Sequence, residues 1–238
     1  MTAAGKTLNL LCAGAAQGLV NALQPRFEAE TGARVQGRFG AVGAMKEALL
    51  GGEACDVMIV TAALIESLGA SGELDPASGA ALGRVRTGIA VRAGSPHPAI
   101  DTPDALRRAL LAADRLYFPD PQRATAGIHF AALLRKLGID DALAARCATY
   151  PNGATAMREL AQSTERSPIG CTQITEIKYT AGVDLAGALP REFELATVYA
   201  AAMARRASEP ALAARFVALL SGAETRTLRI DGGFELER

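Results

Sequence analysis

The loop PDPQRATAG, which ends at Gly127, contains the side chains best suited to hold an anionic ligand. Arg123 offers a planar guanidinium that can bind a carboxylate through two parallel hydrogen bonds, and Gln122 and Thr125 add neutral polar groups. The small residues Ala126 and Gly127 leave backbone N–H groups accessible. The loop is therefore predicted to bind a carboxylate. The alternative is a solvated loop in which Arg123 is a surface cation.

Two titratable side chains are candidates for a general base near such a site. His129 stands just after Gly127 at the predicted start of a helix, where the helix dipole favours the neutral imidazole. Glu176 follows the segment PIGCTQIT. A base in either place would abstract a proton next to a carboxylate. The simpler alternatives are a histidine packed beside Phe130 and a solvated glutamate on a helix.

Two other loops contain almost no side chains: GAAQG after the apolar run LNLLCA, and GAVG after a second short run. Backbone N–H groups in such loops can approach an anion closely, above all at the start of a helix. The residues expected to bind ligand there are Ala15, Ala16, Gln17, Gly40, Ala41 and Val42. The alternative is two tight strand-to-helix connections that bind nothing, because neither loop has a full GxGxxG pattern.

Composition excludes several classes of protein. Lys plus Arg and Asp plus Glu both total 25, so the net charge is zero, which argues against nucleic acid as a partner. Apolar residues make up 50% of the chain, but no run of about 18 of them could span a membrane. The two histidines form no metal cluster, and there is no P-loop, so we expect neither a metal nor a cofactor. The four cysteines form no CxxC and are interpreted as small buried residues, with a disulfide as the alternative.

Short apolar runs alternate with helical patterns along the whole chain, which predicts an α/β fold with mostly parallel sheets. Thr61 is a predicted N-cap, and Thr102-Pro103-Asp104 is a strong helix start. Residues 69–83 are interpreted as connection, and residues 193–203 as a strand. Ligands in such sheets bind beyond the carboxyl ends of the strands, where the small loops lie. Asn152, in the turn Pro151–Gly153, and Gln173 join the expected site for that reason.

The chain resembles the type II periplasmic solute-binding proteins, specifically the molybdate-binding (ModA-like) group. The similar pieces span nearly the whole chain: LNLLCAGAAQGLVNALQPRFEAETG, FGAVGAMKEALLGGEACDVMIV, PDPQRATAGIHF, PIGCTQITE and the tail from VYAAAM to IDGGFE. The resemblance implies two lobes, residues 1–86 with 195–238 and residues 87–194, joined by a two-segment hinge. The ligand is then expected in the cleft between the lobes, with hinge closure on binding.

This sequence departs from the family where the family binds its oxyanion. The resemblance implies serine hydroxyls in the first two loops, where Ala15–Gln17 and Gly40–Val42 stand, and a tyrosine where Gln173 stands. Each missing hydrogen bond to a buried oxygen costs about 1–3 kcal/mol. Tight molybdate binding is therefore not expected, and a small organic carboxylate suits the residues better.

Two functions follow from the resemblance. The first is a substrate-binding protein of an ABC transporter that binds a small anion and docks as a monomer on a transporter permease. The second is an aconitate isomerase, which interconverts trans- and cis-aconitate on a similar scaffold, with His129 or Glu176 as base and Arg123 as carboxylate clamp. Binding is the preferred reading. Met1–Gly5 lacks an export signal, so we expect a periplasmic protein whose signal peptide is absent from this sequence, with a cytoplasmic location as the alternative.

Overall fold

The computed structural model of the chain describes residues 5–236, which alternate strands with helices. The strands are β1 (Thr7–Ala13), β2 (Arg34–Gly40), β3 (Val57–Thr61), β4 (Ala80–Arg92), β5 (Arg115–Pro119), β6 (Cys147–Tyr150), β7 (Pro168–Gln173), β8 (Val183–Ala188) and β9 (Ala196–Met203). The helices are α1 (Gln17–Thr31), α2 (Val42–Leu50), α3 (Ala62–Ala70), α4 (Pro103–Ala112), α5 (Thr125–Lys136), α6 (Asp140–Leu143), α7 (Gly153–Ala161), α8 (Ile174–Tyr179), α9 (Pro210–Ser221) and α10 (Arg226–Asp231).

The chain divides into two compact units. Unit 1 contains the residues up to Arg84 and those from Val198 onward, and unit 2 contains the segment Val85–Thr197. The chain passes from one unit to the other within β4 and again within β9. A two-lobed arrangement about a hinge, with lobe boundaries at residues 86 and 195, stays a prediction.

Unit 1 is built on a sheet in which β1 pairs in parallel with both β2 and β3. β9 pairs with β3 in the antiparallel direction and covers its other edge. β1 and β3 are apolar almost throughout and buried, as expected for strands with helices on both faces. The rings of Phe27 in α1 and Phe216 in α9 meet edge to face, with centroids 4.9 Å apart. α9, which comes from the last part of the chain, is thereby part of the unit 1 core.

Asp56 joins three elements of unit 1 at the end of the sheet where the parallel strands begin. Its carboxylate accepts hydrogen bonds from the backbone and side-chain nitrogens of Asn9 in β1, at 2.7 and 3.0 Å. It also accepts the backbone N–H and hydroxyl of Ser208 and the N–H of Glu209, at the start of α9. Burial raises the pKa of Asp56, but these donors outweigh burial and hold the pKa below its usual range.

Unit 2 is built on a sheet that is half antiparallel. β5 pairs in parallel with β6 and β7, whereas β4 runs antiparallel to both β7 and β8. The α/β class predicted from the sequence is confirmed, but the prediction of a mostly parallel sheet holds only for unit 1. The reason is β4: it lies between β7 and β8, which α8 joins, and runs antiparallel to both of them.

The apolar core of unit 2 lies on both faces of its sheet. One cluster packs α4 and α5 against the sheet and includes Leu106, Leu116, Phe118 and Phe130. The rings of Phe118 and Phe130 meet at 5.1 Å. A smaller cluster on α7, including Met157, covers the other face. The helices therefore fix where each strand ends, which is where the candidate site lies.

Two element predictions were wrong. Residues 80–83, interpreted as connection, begin β4, and residues 193–195, interpreted as strand, precede β9. β8 was missed because its sequence, VDLAGA, alternates poorly and is only half-buried. In contrast, Thr61 and Thr102 cap their helices as predicted, accepting the N–H groups of Leu64 and Ala105.

Candidate functional site

The carboxyl edge of unit 1, meaning the edge where its parallel strands end, presents mostly backbone. β1, β2 and β3 end at Ala13, Gly40 and Thr61. The first strand continues through a 3-10 turn, Gly14–Ala16, directly into α1. Neither α1 nor α2 has a side-chain hydrogen bond at its N-cap, Ala16 and Ala41 respectively. The N–H of Gln17, the first residue of α1, donates to the carbonyl oxygen of Gly14, whereas the first N–H groups of α2 have no partner inside their helix and can bind an anion.

The predicted ligand residues of unit 1 all lie at this edge. Ala15, Ala16, Gly40 and Ala41 are buried, and Gln17 and Val42 are half-buried. Gly40 lies against Met45, whose methyl group would be 2.9 Å from an added Cβ. Apart from Gln17 and Thr61, these loops bring no polar side chain to the edge. Unit 1 can therefore supply backbone hydrogen bonds to a ligand and few others.

The carboxyl edge of unit 2 is polar by comparison. β5, β6 and β7 end there at Pro119, Tyr150 and Gln173. The antiparallel β4 enters the unit at the same edge, because Thr87 is the register partner of Gln173. Thr87 was not predicted as a site residue, and only the pairing of two strands far apart in sequence brings it there.

Four polar side-chain atoms at this edge are buried and have no hydrogen-bond partner within the part of the chain that the structure describes. They are Oγ1 of Thr87, Nε2 and Oε1 of Gln173, and Oγ1 of Thr175. The three side chains are 1%, 2% and 5% exposed. A buried polar group without a partner costs about 1–3 kcal/mol, so a cluster of them points to a partner that is absent from the chain itself.

Glu176 belongs to α8, but its carboxylate lies at the N-terminus of α7 and accepts four hydrogen bonds. Its carboxylate accepts the hydroxyl of Thr172 and the backbone N–H groups of Gly153, Ala154 and Gln173. The bond to Gln173, the N-cap of α8, is half of a capping box, in which the third helical residue reaches back to the cap. Burial raises the pKa of Glu176, and the four donors oppose this only in part.

This placement corrects one interpretation and limits another. Glu176 is 5% exposed, so it is not the solvated helix residue considered from the sequence. Its carboxylate already fills the anion position at the N-terminus of α7, which a ligand would otherwise use. Asn152 is also engaged, because its side-chain oxygen accepts the N–H and the hydroxyl of Thr155. The assignment of Asn152 as a ligand residue stays a prediction.

Arg123 lies on the exposed loop that follows β5. The carboxylate of Asp120 accepts the backbone N–H groups of Gln122 and Arg123, at 2.7 and 3.2 Å, which fixes the turn. The next residues enter α5, whose N-cap Ala124 makes no side-chain hydrogen bond. The first N–H groups of α5, at Thr125, Ala126 and Gly127, are therefore the third predicted set of backbone donors.

Gly127 and His129 are held by backbone groups of neighbouring segments. An added Cβ at Gly127 would lie 2.2 and 2.3 Å from the carbonyl oxygens of Pro119 and Asp120, so only glycine fits there. Nε2 of His129 lies 2.7 Å from the carbonyl oxygen of Phe193. Because a carbonyl only accepts, Nε2 must carry a proton, and Nδ1 is the nitrogen left to accept one.

The structure offers no group of three or more metal-ligating side chains among the residues it describes. All four cysteines are free thiols: Cys12 and Cys171 are buried, and Cys55 and Cys147 are half-buried. Burial raises the pKa of Cys55 to about 12. None of the helices in residues 5–236 is both long and apolar enough to cross a membrane.

The architecture of the chain is the α/β fold of the periplasmic binding proteins. It superimposes on the periplasmic molybdate-binding protein of Azotobacter vinelandii with a TM-score of 0.79 and 20% identity, covering 97% of this chain and all of that one. It also matches the sulfate-binding protein SubI of Mycobacterium tuberculosis H37Rv, with a TM-score of 0.73 and 19% identity over 96% and 86% of the two chains. At these identities the likeness concerns the fold alone.

The chain belongs to the family described as bacterial extracellular solute-binding protein, whose model matches residues 8–235. The resemblance to ModA-like binding proteins stated from the sequence is therefore confirmed. A relative named aconitate isomerase, from a Pseudomonas species, is 26% identical over 96% of this chain and 87% of its own length.

Sequence patterns located the strand ends but missed part of the polar cluster. Thr87 carries no local signal, because nothing near it in the sequence indicates which strand lies beside it. Thr175 is the last residue of the segment PIGCTQIT, but it was not singled out as a site residue. Gln173 was chosen because it replaces a tyrosine of the family, and it is the one predicted site residue that the structure leaves buried and unpaired in both amide atoms within residues 5–236.

Proposed function

We propose that this protein binds a small organic anion with two or more carboxylates, as a solute-binding protein. The residues that carry the proposal are Thr87, Gln173 and Thr175, whose buried polar atoms have no partner in the described chain. Their hydroxyl and amide groups donate hydrogen bonds, which is what carboxylate oxygens require. The first N–H groups of α5, in the same unit, add backbone donors without adding charge.

The chemistry of the two edges favours a carboxylate over a compact oxyanion such as molybdate. A tetrahedral oxyanion needs donors on all sides within a small radius, and the loops of unit 1 have alanines where hydroxyls would serve it. A longer anion can place one carboxylate on the amide and hydroxyls of unit 2 and another on the first N–H groups of α5 or on Arg123, in the same unit. Arg123 lies on an exposed loop, whereas Gln173 is buried. The prediction that Arg123 binds a carboxylate therefore requires an anion long enough to reach both side chains.

Calorimetry with a panel of anions tests the proposal. Trans-aconitate, citrate and succinate are titrated beside molybdate and sulfate at fixed ionic strength. At least one carboxylate should bind more tightly than both oxyanions. A protein that binds only the oxyanions, or only neutral solutes, would refute the proposed ligand class.

Two variants localise the bound carboxylate. Gln173→Ala should weaken carboxylate binding about tenfold or more, because it removes a buried amide partner. Arg123→Ala should weaken carboxylates selectively, and Arg123→Lys should recover only part, because the planar fork is lost. Unchanged carboxylate affinity in Arg123→Ala would place that side chain outside the site without affecting the case for Gln173.

A second candidate function, isomerisation of aconitate, is supported by the curated relative that carries that name over nearly the whole chain. The reaction would need a base that abstracts a proton beside a carboxylate and returns it elsewhere in the allylic system. His129 is the better candidate of the two predicted, because Nδ1 can accept a proton while Nε2 stays bonded to Phe193. Glu176 is enclosed by four donors and serves the fold instead.

Chromatography separates the two functions directly. The protein is mixed with trans-aconitate, and cis-aconitate is followed with time. Turnover that is lost in His129→Gln, while trans-aconitate still binds with similar affinity, would identify an isomerase. Glu176→Gln serves as the comparison, since it should change stability more than turnover. Binding without turnover would leave the solute-binding function alone.

The family also suggests where the protein acts and with what. We propose a periplasmic location and a transporter permease as the partner, with the binding protein acting as a monomer. Fractionation of cells that produce the full-length natural protein, together with size-exclusion chromatography coupled to light scattering, would test location and oligomeric state separately from the ligand.

A further inference from the structure

A cavity in unit 1, whose lining includes none of the ligand residues predicted from the sequence, is lined by three arginines. It has a volume of about 570 Å³ and lies beside Gly83, Arg84, Val198, Arg226, Arg229 and Glu235. All of these belong to unit 1, and they come from β4, β9, α10 and the segment after α10. The volume falls within the range of small-molecule sites in proteins, roughly 300–1,000 Å³.

Among residues 5–236, only Arg84 of these three arginines is paired with a carboxylate. Nε and one terminal nitrogen of Arg84 donate to Oε2 of Glu235, at 2.9 and 2.5 Å. Arg229 instead donates to backbone carbonyls, those of Leu82, Ser221 and Gly222. These bonds occupy both terminal nitrogens, but within residues 5–236 no carboxylate is bonded to the guanidinium of Arg229.

Arg229 and Arg226 form a pair of like charges. Arg229 is 6% exposed, and its Nε has no partner within residues 5–236. Burial and the neighbouring Arg226 lower the pKa of Arg229, whereas Glu224 raises it by less. Arg226 is exposed and makes no hydrogen bond or ion pair with a described residue. Two guanidiniums held together in this way are stabilised by an anion placed between them.

We propose that this cavity is a second anion site, which binds a small, multiply charged anion of the polyphosphate or polycarboxylate type. Arg226 supplies the accessible guanidinium, and buried Arg229 supplies fixed positive charge at the wall. Val198 and Leu236 give the cavity an apolar side, which suits an anion that carries a short carbon body. The site does not depend on the ligand proposed for the strand ends.

Pyrophosphate and citrate are suitable probes, titrated at constant ionic strength into the wild-type protein and three variants. Arg226→Ala removes the accessible guanidinium without touching the hydrogen bonds of Arg229, so the fold should persist. Arg226→Glu reverses the charge, and Arg206→Ala removes an exposed arginine of unit 1 that does not line the cavity. Arg229 is left unchanged, because its three carbonyl bonds make it part of the fold.

The proposal predicts an order of pyrophosphate affinity among the wild-type protein and the three variants. Arg226→Ala should weaken pyrophosphate binding about tenfold, Arg226→Glu should abolish it, and Arg206→Ala should stay within about twofold of wild type. The same order should hold in a Gln173→Ala background, which separates this cavity from the strand-end site. Equal affinity in Arg226→Ala and wild type, equal losses in Arg226→Ala and Arg206→Ala, or no binding at millimolar probe would each overturn the proposal.

Discussion

The two units differ in the polarity of the loops that follow their parallel strands. In both, parallel strands end in short loops that lead directly into helices. The first two loops at the carboxyl edge of unit 1 consist mainly of glycine and alanine, so their donors are backbone N–H groups, as at the start of α2, whose N-cap makes no side-chain hydrogen bond. The carboxyl edge of unit 2 carries Thr87, Gln173 and Thr175, and fills one helix start with its own Glu176. Selectivity for a ligand should therefore reside mainly in unit 2.

The largest expected effect comes from filling the space that Glu176 uses. In Gly153→Ala the new Cβ would lie 2.0 Å from both Oε2 of Glu176 and Oγ1 of Thr172, so the hydrogen-bonded cluster must break apart. We expect a loss of about 3 kcal/mol in the free energy of unfolding, at the upper end for overpacking. Gly40→Ala, at the edge of unit 1, is the matched control, since only the flexible end of Met45 must move. Urea unfolding measures both variants. Equal losses of stability in Gly153→Ala and Gly40→Ala would contradict the difference inferred between the two edges.

A smaller effect is expected on ligand affinity when the glutamines of the two edges are compared. Gln173→Ala should weaken the tightest-binding carboxylate by about 1–3 kcal/mol, because a buried amide is lost. Gln17→Ala, at the half-buried first position of α1, should change affinity by less than about 0.5 kcal/mol. Calorimetry on both variants measures the difference directly. A greater loss in Gln17→Ala would move the source of selectivity to unit 1.

The two buried carboxylates should give opposite pH dependences of stability. The pKa of Asp56 is lowered in the folded state, so its contribution is present above the unfolded pKa of about 3.9 and is lost as pH falls through the folded value. The pKa of Glu176 is raised, so its contribution is present below the unfolded value of about 4.3 and is lost as pH rises through the folded value.

Urea midpoints between pH 3 and pH 7 test both signs. Asp56→Asn should show less acid destabilisation than wild type, relative to its own stability at pH 7. Glu176→Gln should remove the decline that begins above about pH 4.3. If the two variants show parallel profiles, the different electrostatic settings assigned to the two carboxylates are incorrect.

The smallest effect should come from giving the unit 1 edge the hydroxyl that it lacks. Ala41 is the N-cap of α2 and has the extended backbone that capping residues adopt. Ala41→Ser should stabilise the protein by about 1 kcal/mol through a bond to an N–H in the first turn. It should also raise molybdate affinity relative to carboxylates, by adding a donor at the edge. A thermal melt and the anion panel together check both outcomes, and a variant no more stable than wild type would show that α2 already has its partner.

The sequence was sufficient for the fold class, for most helix starts and for the loops at the strand ends, because these depend on local signals. Thr61 and Thr102 show this, since an N-cap is recognisable from its own neighbours. It was not sufficient for Thr87 or for the role of Glu176. Thr87 reaches the site through antiparallel pairing with a distant strand, and Glu176 is buried only because α7 begins beside it. Both depend on tertiary contacts that leave no periodic pattern in the sequence.

The bonds of Asp56 bear on how the chain is synthesised. Unit 2 is one continuous segment, whereas unit 1 needs β9 and α9 from the end of the chain. Until the ribosome has released Ser208 and Glu209, the Asp56 carboxylate lacks three of its donors, and β3 has an apolar, unpaired edge. Unit 2 can therefore complete its folding before β9 and α9 are available to pack on the amino-terminal strands of unit 1. During that interval the nascent chain exposes the edge of β3, which is open to pairing with other chains.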